Sequence, residues 1–62
     1  MKRKQLISFL QKNNCILFRE GGNHSVYINL ELRKSTTVPR HNEINDYLVR
    51  KICKDLGIKS PF

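Results

Sequence analysis

The side chains best suited to proton or phosphoryl chemistry in this 62-residue chain are two histidines and two cysteines. His24 directly follows Gly21-Gly22-Asn23, a turn with no bulky side chain to hold a ligand away. An imidazole gains and loses a proton near neutrality, and a glycine turn lets a polyanionic backbone come close. That pairing suits proton transfer at a ribose hydroxyl or a phosphate. The plainer alternative is a rim histidine that only bonds locally. His41 follows Val38-Pro39-Arg40 at a junction between two elements, where it binds phosphate, caps a helix or faces water. Cys15 opens an apolar run and Cys53 edges an apolar helix face, so both are expected as core or boundary thiols rather than nucleophiles. No C-x-x-C spacing, carboxylate pair, phosphate-binding glycine loop or dinucleotide fingerprint occurs. No metal site and no cofactor are expected.

Charge supplies the second clue. Twelve Lys and Arg against five Asp and Glu give a net charge of +7. On so small a surface that field attracts nucleic acid or an anionic membrane. The cations group as Lys2 to Lys4, Arg33-Lys34, Arg40, and Arg50, Lys51 and Lys54, with Tyr47 beside the last group to stack on a base or ribose. Lys34, Arg40, Arg50, Lys51 and Lys54 are the candidate phosphate-binding residues for a polyanion, with an ordinary solvated surface as the competing reading. The longest apolar run, Cys15 to Phe18, is far short of the roughly 20 residues a membrane span needs. No secretory signal follows the basic start, so a cytoplasmic, reduced setting without membrane contact is expected.

These groups need elements to position them. A chain this short is one domain, residues 1–62, burying only about 60% of its unfolded surface. That excludes doubly wound nucleotide folds, barrels and deep substrate cavities. Leu6, Ile7, Phe9 and Leu10 share one face of a first helix over residues 3–13, stopped at Asn13-Asn14. Residues 15–20 form an apolar strand, Gly21-Gly22-Asn23 turns the chain, and residues 24–30 alternate. His24, Val26, Ile28 and Leu30 point one way, with Val26, Ile28 and Leu30 as a packed set; Ser25, Tyr27 and Asn29 point the other. A short Thr-rich strand over 35–38 closes at Pro39. The second helix opens at Asn42 as its N-cap, buries Ile44, Leu48, Val49, Ile52 and Leu56, and stops at Gly57. The fold class is α+β, in the order α-β-β-β-α, with both helices on one face of a three-stranded antiparallel sheet.

The order of elements, the segment Gly21-Gly22-Asn23-His24-Ser25-Val26-Tyr27, the run Val38-Pro39-Arg40-His41 and the closing stretch Arg50 to Ile58 resemble the HicA toxin family. The similarity covers essentially the whole chain, and the glycine-x-histidine segment is its specific part. The resemblance implies a double-stranded-RNA-binding-domain-like fold and a metal-independent endoribonuclease that cleaves mRNA. It implies a toxin neutralised by a HicB-like antitoxin, with mRNA and ribosome-associated RNA as further partners. The family's catalytic histidine maps onto His24. The 2′-hydroxyl would then be the nucleophile, with His24 as general acid or base and Arg40, Lys34 or a lysine of the second helix stabilising the phosphorane charge. Water, Tyr27 or His41 serves the other proton step. The alternative is a non-catalytic double-stranded-RNA-binding module, whose minor-groove loop has a similar glycine-and-histidine turn. Against it, the second helix begins with acids, where such modules present lysines.

Overall fold

A computed structural model describes all of residues 1–62. The element order is α1 (Arg3–Lys12), β1 (Cys15–Glu20), β2 (His24–Asn29), β3 (Lys34–Pro39) and α2 (Asp46–Leu56). The strands form one antiparallel sheet in the order β1-β2-β3. The expected α-β-β-β-α architecture is the one observed. No helix is long and apolar enough to cross a membrane.

Helix α1 turns Leu6 and Leu10 fully inward, with Ile7 and Phe9 half-buried beside them. It ends where Asn13 Nδ2 returns to the Phe9 carbonyl at 2.8 Å and Asn14 adopts a left-handed φ of 66°. An asparagine tolerates that conformation better than most residues, which is why the pair stops the helix.

Helix α2 starts later than Asn42, and its N-cap is Asn45. The Asn45 side chain accepts the Leu48 N–H at 2.8 Å. The reason lies in residues 42–44, which are held extended against the chain's start. The Asn42 carbonyl accepts the Arg3 N–H at 2.9 Å, and the Ile44 N–H donates to the Met1 carbonyl at 2.9 Å. Backbone spent in a bridge cannot also wind a helix. Glu43 therefore lies outside the first turn, which Asp46 alone supplies with negative charge. At the other end Gly57 takes φ 73°, and Ile58 N–H reaches the Cys53 carbonyl at 2.9 Å. A side chain at position 57 would be strained by that φ and would meet Leu32 Cδ1 at 2.7 Å.

Both helices cover one sheet face, and the core of Leu6, Leu10, Val38, Val49, Ile52 and Leu56 lies between the layers. β2 alternates as expected, but the face turned to the helices carries Ser25, Tyr27 and Asn29. Val26 and Ile28 sit half-buried on the open face, and Leu30 lies past the strand, exposed. Ser25 and Asn29 are tolerated inside because both are bonded. Asn29 Nδ2 donates to the Leu56 carbonyl at 2.8 Å, while its Oδ1 accepts the Glu31 and Leu32 N–H groups at 3.0 and 3.3 Å. One asparagine thus closes the β2–β3 turn and caps α2. No buried side-chain polar atom lacks a partner.

Edge strand β1 buries only Cys15. Its pairing with β2 runs regularly to Leu17–Tyr27 and then jumps to Arg19–Val26 and Glu20–Ser25. Phe18 is the extra residue of a β-bulge, and it reverses the alternation beyond it. Arg19 is thereby turned to the open face and Glu20 to the Ser25 side. That reversal builds the site.

Candidate active site

The β1–β2 turn closes with the Gly21 N–H donating to the His24 carbonyl at 2.8 Å. A Cβ at Gly22 would meet nothing within 4 Å, so the outer rim of the turn is open space. His24 follows on the uncovered sheet face, exposed, and its imidazole makes no hydrogen bond within the chain. Register places Pro39 opposite His24, so the chain leaving β3 delivers Arg40 and His41 to the same corner. Gly22, Asn23, His24, Arg40 and His41 line one shallow concavity. Two histidines and a guanidinium beside an open glycine turn can accept a proton, return one and hold negative charge at one place.

Arg40 is the most heavily bonded side chain there. Its Nη1 donates to the Gly22 carbonyl at 2.8 Å. Nη2 donates to the Gly21 carbonyl at 2.6 Å, to Glu20 Oε1 at 2.7 Å and to the His24 carbonyl at 3.2 Å. Nε lies 3.4 Å from Ser25 Oγ. Beneath it Ser25 Oγ donates to Glu20 Oε1 at 2.6 Å and accepts from Arg3 Nη2 at 3.1 Å, while Arg3 Nε donates to the Pro39 carbonyl at 2.9 Å. The Ser25 and Arg40 hydrogen bonds hold the Glu20 carboxyl below its ordinary range. Arg40 and Ser25 thus converge on one carboxylate under the turn, and Arg3 holds Ser25 from the far side.

The remaining candidates do not gather at this corner. Lys34 pairs with Asn29 at the opposite end of the sheet, about 17 Å along β2 from His24, and its stem lies over Gly57 at the α2 C-terminus. Arg50, Lys51 and Lys54 form a separate exposed patch with Tyr47 on α2. There Lys51 pairs with Asp55 at 3.0 Å and Arg50 lies over the Phe62 ring at 5.4 Å. Tyr27 is buried on the helix side of β2, facing away from His24, which removes it as a proton partner. His41 keeps that possibility. Cys15 and Cys53 are buried free thiols, and burial pushes both up from the usual thiol range, the opposite of an activated nucleophile. No three His, Cys, Asp or Glu side chains converge in a metal-ligating group.

Glu20, Ser25 and Arg3 were absent from the sequence-based candidates. Glu20 pairs with Ser25, whereas a turn over Gly21-Gly22-Asn23 alone would have set Glu20 opposite His24. The sequence shows Arg3 only as one of the Lys2 to Lys4 cations.

A family model described as "HicA toxin of bacterial toxin-antitoxin" matches residues 3–58 of the chain. The match takes in every helix and strand and the whole His24 corner. No curated protein and no solved structure matches it. The chain therefore belongs to the HicA toxin family, the toxin half of a bacterial toxin–antitoxin system.

Proposed function

We propose that this toxin is a metal-independent endoribonuclease that cleaves mRNA, with His24 as its catalytic residue. The observation that carries the reading is the exposed, unbonded His24 imidazole beside the open glycine turn, sharing one concavity with His41 and Arg40. The ribose 2′-oxygen attacks the adjacent phosphorus while its proton passes to one imidazole. As the 2′-O–P bond forms, the P–O5′ bond breaks and the leaving oxygen takes a proton from an acid. His24 fills one of these roles, and His41, the only other imidazole in the concavity, fills the second. General acid–base catalysis of this kind contributes about 10²–10⁴-fold.

RNA is held by Lys34, Arg50, Lys51 and Lys54, with Arg40 adding positive charge to the field at the site. The net charge of +7 supports a polyanion as the partner. Messenger RNA and ribosome-associated RNA are the substrates, a HicB-like antitoxin is the neutralising partner, and the cytoplasm is the setting. The test is incubation of the purified chain with RNA in the presence of chelator. Attack by the 2′-hydroxyl leaves 2′,3′-cyclic phosphate ends and 5′-hydroxyl ends. RNA left intact, with or without ribosomes, would instead leave a double-stranded-RNA-binding module.

A further inference from the structure

The geometry points to Arg40 as a positioning residue that fixes the β1–β2 turn, and with it His24, through three turn carbonyls and the Glu20 carboxylate. The inference rests on His24 being the catalytic group and assigns Arg40 a task distinct from holding RNA. Each Arg40 nitrogen already has a partner on the turn or beneath it, the Nε contact to Ser25 being the longest at 3.4 Å. A guanidinium committed to the carbonyls of Gly21, Gly22 and His24 has little directional capacity left for a phosphate. What it does reach is the backbone on both sides of His24's turn.

The turn needs such a brace. Gly21 and Gly22 carry no side chains to pack, Asn23 is exposed, and the local backbone bond is the single one from Gly21 N–H to the His24 carbonyl. An unbraced glycine turn samples many conformations, and a general base must stay within hydrogen-bond reach of one hydroxyl. Glu20 is the second half of the brace. Its carboxylate holds Arg40 Nη2 from below, and the bulge at Phe18 is what aims it there. Lysine cannot replace the arginine, because one ammonium offers no planar fork to span several carbonyls.

Arg40→Lys and Glu20→Gln separate positioning from phosphate contact. Neither removes a positive charge, and Glu20→Gln takes away only the negative charge beneath Arg40. Both variants are checked for native melting, assayed for cleavage, and measured for affinity toward a 2′-O-methylated RNA that cannot be cleaved. Expected are unchanged or tighter RNA binding and a kcat lowered about 10–100-fold in both. Wild-type kcat in Glu20→Gln, or weakened RNA binding with intact kcat in Arg40→Lys, would overturn the assignment. Should either variant fail to fold, the side-chain NMR signals of Arg40 in the unmodified protein decide. Slow guanidinium rotation with a protected Nε–H supports the brace, and fast averaged rotation refutes it. A His24→Ala variant that still cleaves would refute the catalytic reading instead, whereas an inactive His24→Ala beside fully active Arg40→Lys and Glu20→Gln would refute only the brace.

Discussion

Arg40 Nη2 lies 2.7 Å from Glu20 Oε1, although Arg40 follows β3, Glu20 ends β1, and β2 separates the two strands. The pair therefore spans the end of the sheet beneath the turn that presents His24. Both side chains are substantially solvent-exposed, and an exposed pair adds little to global stability. Its consequence is geometric, because the same guanidinium also holds the turn's carbonyls.

Acid should loosen this corner and the rest of the surface together. Glu20 is held low by Ser25 and Arg40, Glu43 by the terminal ammonium, and Asp55 by Lys51 and Thr36. A carboxyl whose folded pKa is depressed stabilises the fold above its unfolded value, about 4.3 for Glu and 3.9 for Asp, and that contribution vanishes as pH falls through the lower folded value. Melting temperature should be insensitive to these groups from pH 7 to about 5 and fall below about pH 4. Glu20→Gln should flatten part of that fall.

Asn29 is the polar residue whose loss should cost most. Asn29→Ala leaves the Leu56 carbonyl and two turn N–H groups without their partner, a penalty of about 1–3 kcal/mol. Chemical denaturation at neutral pH measures it. On the open face of the same strand, Val26→Thr should cost visibly less.

The contrast shows how far the sequence could be read. Element order, the turn at Gly21-Gly22-Asn23 and the Gly57 stop were legible because glycine and helix periodicity are local signals. The inward face of β2 was not. Hydrophobicity favours Val26 and Ile28, and only the long-range bonds of Ser25 and Asn29 make the polar set the buried one. The bulge at Phe18 left no local mark, so Glu20 escaped notice. The α2 start moved from Asn42 to Asn45 because contacts with Met1 and Arg3, distant in sequence, hold residues 42–44 extended. His24 was found because its chemistry and its turn are adjacent in sequence; Arg40's role was missed because its partners are 15 to 20 residues away.

The α2 patch should act on RNA through charge alone. Replacing Arg50, Lys51 and Lys54 together by Gln should weaken binding about equally for all RNA sequences. It should also reduce the slope of log affinity against log salt, by about 0.7 per lost phosphate contact on single strands. Titrations at several salt concentrations read this directly. An unchanged slope would mean that the patch is only solvated surface.

RNA cleavage by wild-type and His24→Ala proteins, compared at matched and confirmed folding, decides whether His24 is the catalytic group. His24 is exposed and makes no side-chain bond, so truncation should shift stability by no more than about 0.5 kcal/mol. Loss of its proton transfer should slow cleavage about 10²–10⁴-fold, equivalent to about 2.7–5.5 kcal/mol of barrier. His24→Ala should fold and no longer cleave RNA at a useful rate. Cleavage by His24→Ala at the wild-type rate, or its loss in His41→Ala alone, would contradict it.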